Sequence, residues 1–247
     1  MMTVTSALAV DHPRLPLRRR YLMCRPTHFA VRYSINPWMD VDAPVDAGRA
    51  VEQWEALVGL YASLGHQVEL IDPVPGLPDM VFAANAGMVI DGTVLCARFR
   101  HPERRGEEEA YRRWFVGAGY VVVESSAVNE GEGDFALVGS RLLAGWGFRT
   151  DARSHREAGR AFGRPVLGLE LVDPRWYHLD TALTVLDEHN VAYFPGAFSR
   201  ESEQLLRAAF PDAVVATRAD AEVLGLNAVS DGHRVVLPAQ AEGLTRQ

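Results

Sequence analysis

The chain has 247 residues, 48% of them apolar and 23% charged, and a formal net charge of −7. A chain of this size buries enough surface for one large domain or two small ones without a disulfide or metal staple. Its acidic balance argues against nucleic-acid binding, which needs basic surface to displace counterions, and no apolar run approaches the ~20 residues of a membrane span.

Residues 1–20 read as a loose N-terminal arm. The apolar stretch at 7–10 is too short for a secretory signal, and the basic run at 18–20 follows it instead of preceding it. The two cysteines, Cys24 and Cys96, have no CxxC partner and sit in apolar, strand-like contexts. They read as reduced core thiols, which places the chain in the cytoplasm.

Hydrophobic periodicity predicts a strand over 21–24, then a helix over 47–64 stopped by Gly65, with Val51, Trp54, Leu57 and Tyr61 on its core face. A strand at 67–71 follows. Residues 80–99 form two strand-like runs around Asp91-Gly92, a hairpin turn signal. A charged helix carrying Tyr111, Trp114 and Phe115 comes next, then a short buried strand at 120–125. The same order recurs. A hairpin over 135–146 turns at Gly139-Ser140, Asp151 caps a helix ending at Phe162, and a strand spans 165–171. A hairpin over 181–194 turns through 187–190, Ser199 caps a helix carrying Leu205, Leu206 and Phe210, and a strand spans 213–216. A last hairpin over 226–237 turns at Asp231-Gly232, and a helix begins at 239.

Hairpins start at Met80, Asp134, Asp180 and Asn227, which are 54, 46 and 47 residues apart. A period near 50 suggests a repeat architecture closing on itself. Five strand-strand-helix-strand units in a single α/β domain over 21–247 fit a five-bladed α/β propeller. An ordinary mixed α/β sheet with evenly spaced elements is the competing reading. The fifth unit reaches only the start of its helix, about 25–30 residues short by the repeat. A ring short of one strand exposes an edge, so a homo-oligomer is an expected state.

Polar residues gather at the hairpin starts, where a ring of units converges. They are Asn36 in INPWM, Asn85 in FAANAG, Glu130, Glu132 and Asp134 in NEGEGDF, His178 and Asp180 in YHLDTA, and Asn227 in GLNAVSD. In a strand the three alternating carboxylates share one face. Charges that close repel unless a cation or proton sits between them, and a guanidinium, planar and always charged, fits; an acidic surface loop is the plainer reading. His178 and Asp180, also two apart, put a carboxylate near an imidazole able to carry protons near neutral pH. A divalent metal held by His178, Asp180, Glu132 and Asp134 is the alternative, but no HExxH spacing supports it. No GxSxG, phosphate-binding or dinucleotide-binding motif is present. Arg104, in FRHPERRGEEE, is a candidate anchor for a substrate carboxylate.

The segments MCRPTHFAVRYSINPWM, PDMVFAANAG, ARFRHPERRGE, NEGEGDF, YHLDTAL and GLNAVSD resemble the guanidino-group-modifying enzymes. That superfamily includes arginine deiminases, dimethylarginine dimethylaminohydrolases, glycine amidinotransferases and arginine dihydrolases. The resemblance runs from about residue 20 to 240 and is closest to the arginine-dihydrolase and dimethylargininase branch. It implies a five-bladed α/β propeller and a small-molecule substrate, arginine or a methylated arginine, with no cofactor or metal. It implies attack by a cysteine thiolate on the guanidinium carbon, loss of ammonia or an amine, and hydrolysis of the thiouronium adduct to ornithine or citrulline. His178 matches the general acid/base. Asp180 and the EGEGD carboxylates match the groups that hold the guanidinium, Glu132 first and Asp134 second. Asn85 stands where deiminases carry an Asp, a replacement that goes with release of two ammonia molecules and ornithine. Asn36 and Arg104 match positions that hold the amino-acid end of the substrate, and Asn227 is counted with the binding residues. In the superfamily the nucleophilic cysteine follows the last helix and strand of the fifth unit; Cys24 and Cys96 do not match it, so the nucleophile is expected in a C-terminal segment beyond residue 247. The expected alternative is an inactive homologue that binds arginine-like ligands.

Overall fold

A computed structural model describes residues 15–247, so residues 1–14 of the expected arm lie outside the described residues. The fold is mixed α/β, built from small sheets. In the first, β1 (Arg20–Cys24) pairs in parallel with β2 (Gln67–Ile71), joined through α1 (Ala47–Ser63). Asp46 caps α1 by accepting the Arg49 N–H at 2.9 Å. Residues 15–20 are tied down: Leu17 N–H donates to the Asp231 carbonyl at 2.7 Å, and Arg20 pairs with Glu69.

Three sheets then repeat one plan. An antiparallel hairpin is followed by a helix, and the next strand returns parallel to the second hairpin strand. The second unit has β3 (Gly87–Ile90), β4 (Thr93–Cys96), α2 (Gly106–Gly117) and β5 (Val121–Val123). Its turn uses Asp91 and Gly92, both at positive φ, the two-residue geometry that matches strand twist. The third unit has β6 (Phe135–Val138), β7 (Arg141–Trp146), α3 (Arg153–Phe162) and β8 (Val166–Glu170). Asp151 accepts the Arg153 N–H at 2.9 Å, one residue ahead of the formal cap Ala152.

The fourth unit opens with a single helical turn, α4 (Leu179–Ala182), before β9 (Leu183–Val185). β10 (Val191–Tyr193), α5 (Arg200–Ala209) and β11 (Val214–Val215) complete it. Ser199 caps α5 as expected, but of its two leucines Leu206 is buried while Leu205 faces solvent. A short helix that periodicity did not predict, α6 (Arg218–Glu222), is closed by a capping box between Thr217 and Asp220. The fifth sheet is the hairpin β12 (Val229–Ser230) with β13 (Val235–Val236), followed by α7 (Glu242–Arg246).

Apolar cores fill the spaces between consecutive units. One joins β1, β2 and α2 through Cys24, Ile71, Tyr111 and Phe115, and a second packs β3 and β4 against β6, β7 and α3. The largest gathers Leu143, Leu169, Trp176, Tyr193 and Leu226. No helix among the described residues is long and apolar enough to cross a membrane.

Candidate active site

Tight turns ahead of three hairpins build the site. Asn85 lies in a 3-10 turn, Ala83–Ala86, before β3. Glu130 and Asp134 flank the 3-10 turn Gly131–Gly133 before β6, and His178 immediately precedes α4, ahead of β9. Gly131 takes a left-handed φ of 53°, and a Cβ there would strike the backbone of Gly87 and Ala84. Only glycine lets the third-unit turn seat against the second. A Cβ on Gly133 would run into the Asn85 amide and crowd the His178 ring.

His178 is buried with a carboxylate at each ring nitrogen. Nδ1 lies 2.9 Å from Asp134 Oδ2, and Nε2 lies 3.3 Å from Glu130 Oε2. Burial opposes its charge, but Asp134 first and Glu130 second overcome that and hold the imidazolium up to about 9. Glu130 is fully buried and also takes the Arg149 Nη1 donor at 2.8 Å. Burial disfavours its ionised form, yet His178, then Arg149 and Arg104, carry the carboxyl down to about 2. Asp134 accepts from Thr150 Oγ1 at 2.7 Å and from the Leu179 N–H at 3.1 Å. Arg149 lies under the Tyr177 ring at 4.7 Å, and its Nη2 donates to the Ile35 carbonyl.

Beside this centre, Arg104 is buried and forks onto Glu107 at 2.9 and 2.8 Å. It also donates to Asn85 Oδ1 at 2.7 Å and to the Asp79 carbonyl, and its guanidinium lies over Phe99. Asp79 accepts from Tyr33 Oη at 2.9 Å, and burial raises its carboxyl. Three buried carboxylate oxygens here have no hydrogen-bond partner: Asp79 Oδ1, Glu130 Oε1 and Asp180 Oδ1. Burial, helped by the Asp134 and Glu130 charges and opposed by His178, pushes Asp180 up to about 7.

The structure redraws several expectations. The EGEGD carboxylates do not share a face, because the segment is a 3-10 turn and not a strand. Glu130 and Asp134 turn in to His178. Glu132 instead faces solvent and accepts the Val89 N–H at 3.4 Å, with surrounding protein and the Asp180 charge raising its carboxyl. Of the EGEGD carboxylates it is Glu130, not the expected main carboxylate Glu132, that turns inward with Asp134. His178 and Asp180 likewise sit on a helical turn, so Asp180 does not contact the imidazole as a strand neighbour would. Arg104 is an internal counter-charge whose donors are already engaged, not an open anchor. Asn36 Nδ2 reaches the Tyr177 hydroxyl at 3.2 Å, and Asn227 Nδ2 lies 3.5 Å from the Asp180 carbonyl, its side chain also favouring the Asp180 carboxylate.

Cys24 and Cys96 end β1 and β4 as buried free thiols, and burial pushes both up to about 11. Neither is a ready nucleophile. Among the described residues no cluster of three or more His, Cys, Asp or Glu is placed to hold a metal ion.

Arg149, Thr150, Asp79, Glu107 and Tyr177 were missed. A signal for Arg149 existed in the repeat. Cys96-Ala-Arg-Phe99-Arg100 after one hairpin aligns with Gly145-Trp-Gly-Phe148-Arg149 after the next.

No profile of a known family matches the chain. It is 56% identical over 234 residues to N(G),N(G)-dimethylarginine dimethylaminohydrolase of Mycobacterium tuberculosis, covering 95% of this chain and 78% of that protein. It is 40% identical to the bifunctional arginine dihydrolase/ornithine cyclodeaminase AgrE of Nostoc, covering 92% of this chain but only 33% of that longer protein. Among solved structures it superposes with a TM-score of 0.85 and 35% identity on the N-terminal domain of ArgZ, a cyanobacterial arginine dihydrolase, in a cysteine-to-serine variant bound to substrate. That match covers 92% of this chain and 88% of that domain.

Proposed function

Because the chain belongs to the family of dimethylarginine dimethylaminohydrolases and arginine dihydrolases, we propose that it is a hydrolase of the guanidino group of arginine or a methylated arginine, forming citrulline with release of ammonia or an amine, or ornithine with both nitrogens released as ammonia or amine and the guanidino carbon as carbon dioxide. One observation carries the reading to these residues. Three buried carboxylate oxygens, on Asp79, Glu130 and Asp180, stand without partners around one centre. A buried, unpaired carboxylate oxygen costs free energy that a donor cation recovers. A substrate with a guanidinium at one end and an ammonium at the other supplies two such cations.

In this reading Asp180 and Glu130 receive the guanidinium, and Asn85 lies against the same centre with its amide held by Arg104. Attack by a thiolate on the guanidinium carbon gives a tetrahedral adduct. His178, held as imidazolium, delivers a proton to the departing nitrogen. The imidazole then takes a proton from the water that attacks the thiouronium carbon, and collapse returns the thiolate. Cys24 and Cys96, the two cysteines of these 247 residues, are buried and are not placed to supply that thiolate, so the roles assigned to the residues here are substrate binding and proton transfer.

The finer architecture is part of the proposal: the five sheets close into a ring as a five-bladed α/β propeller, one domain over 21–247. Contacts between the first and fifth units support closure, with Leu17 bonded to Asp231 and His66 Nε2 3.8 Å from Asp231 Oδ2. The two unpaired thiols favour a cytoplasmic location.

The test is turnover of arginine and asymmetric dimethylarginine by the protein purified from its own cells, with calorimetry in parallel. Formation of ornithine or citrulline, abolished by His178→Ala, is the expected result. Binding without turnover would replace hydrolysis with arginine binding, and neither binding nor turnover in a folded sample would overturn the reading.

A further inference from the structure

His178 poses a chemical problem for its own role. An imidazolium clasped by carboxylates at both nitrogens holds its proton tightly, and an acid that cannot release its proton is a poor catalyst. The charged and titratable groups around it are Asp134 and Glu130 from the third-unit turn, and Asp180 on its own helical turn. Arg149 and Arg104 reach it through Glu130, and the Tyr177 ring lies 4.7 Å from the imidazole. One neutral group touches both carboxylate-bearing residues. Thr150 Oγ1 accepts the Glu130 backbone N–H at 3.1 Å and donates to Asp134 Oδ2 at 2.7 Å. That oxygen is the one facing His178 Nδ1. The contacts close a cycle: Glu130 backbone, Thr150, Asp134, His178 and back to the Glu130 carboxylate.

We propose that Thr150 is a positioning residue of the acid–base centre, its hydroxyl drawing charge from the Asp134 oxygen that faces His178 so that the imidazolium proton stays transferable. The acceptor bond gives the hydroxyl its direction. With the Glu130 N–H on one lone pair, the O–H hydrogen points at Asp134. Thr150 is buried, so water does not stand in for that donor. The catalytic meaning rests on His178 as the acid–base group, whereas the effect on the imidazole does not.

The experiment is therefore a titration of the chain with 15N-labelled histidine, followed by NMR, with the His178 signals identified by their loss in His178→Gln. Wild-type His178 titrates well above an ordinary imidazole. Thr150→Val, which keeps the shape and removes the donor, moves the midpoint upward by roughly one pH unit. Thr150→Ser restores it. A midpoint unmoved or lowered in Thr150→Val overturns the proposal, as does a Thr150→Ser protein that titrates like the valine variant. If Thr150→Val does not fold, Thr150→Cys, a weak donor, must shift the midpoint in the same direction, and an unmoved midpoint there also refutes it. Because the readout is a titration, absent turnover leaves this proposal standing, and an unmoved midpoint leaves the hydrolase reading standing.

Discussion

Replacing Asp180 by Asn should stabilise the fold while removing the site. The Asp180 carboxyl is raised from 3.8 to about 7, first by burial and then by the Asp134 and Glu130 charges. Its Oδ1 has no hydrogen-bond partner. A group raised on folding contributes stability that is complete below its unfolded value of 3.8 and is lost as pH rises through about 7. Above that pH the folded protein carries an anion it accommodates poorly. For a fully buried group a displacement of this size is worth about 4 kcal/mol. The residue is only half-buried, solvent screens part of the cost, and about 1–2 kcal/mol is the expected gain in Asp180→Asn at pH 8. In a protein this long that corresponds to a rise in Tm of a few degrees. Urea denaturation of both proteins at pH 4, 6 and 8 measures it. The gain should be largest at pH 8 and vanish below pH 4, with guanidinium binding lost throughout. Equal or lower stability of the variant at pH 8 would refute the claim that Asp180 is held in the fold for its charge.

Arg149→Met leaves Glu130 buried without its closest guanidinium, so stability should fall by about 3–5 kcal/mol in urea denaturation; a loss under about 1 kcal/mol would show that the pair at 2.8 Å is not the main support of that carboxylate. Cys24 and Cys96, buried and raised to about 11, should resist iodoacetamide at pH 8 in the native protein and react once urea unfolds it, as read by intact mass. Gly133→Ala forces a methyl group into the Asn85 amide and against His178. Arginine affinity by calorimetry should drop at least tenfold, and an unchanged affinity would mean that these turns are not packed together in solution.

Much of the fold was legible because each unit carries its own local signals. The Asp91-Gly92 turn, the Asp46 and Ser199 caps and the period near 50 all act within a few residues or repeat along the chain. What escaped was set by packing. The 3-10 turn at Gly131–Gly133 looks like an alternating strand in sequence, since Glu130, Glu132 and Asp134 are spaced by two. The left-handed φ of Gly131 and its seat against Gly87 bend it, and that seat belongs to a residue 44 positions earlier. Likewise the helical turn at Leu179–Ala182 precedes a strand too short to impose its own periodicity.

For the site, residue type was readable and partnership was not. A His among carboxylates signals proton chemistry at any spacing. Which carboxylate meets the imidazole depends on the turn between them, and matching the segment to the family's motif, which put Glu132 first, does not see that turn. Arginines show the same division. Arg104 was noticed in a basic loop and read as an anchor for a substrate carboxylate, yet its neighbours Glu107 and Asn85 take up its donors. Arg149 was passed over although it neutralises a fully buried carboxylate of the site. The physical reason is economy of charge. A centre that keeps several carboxylates out of water for a cationic ligand must hold permanent cations nearby, or the carboxylates would protonate and lose their grip. Arg104 and Arg149 meet that requirement while leaving Glu130 Oε1 and Asp180 Oδ1 without a partner. The arginines follow from the chemistry of the cavity, and only the fold says which of the chain's many arginines they are.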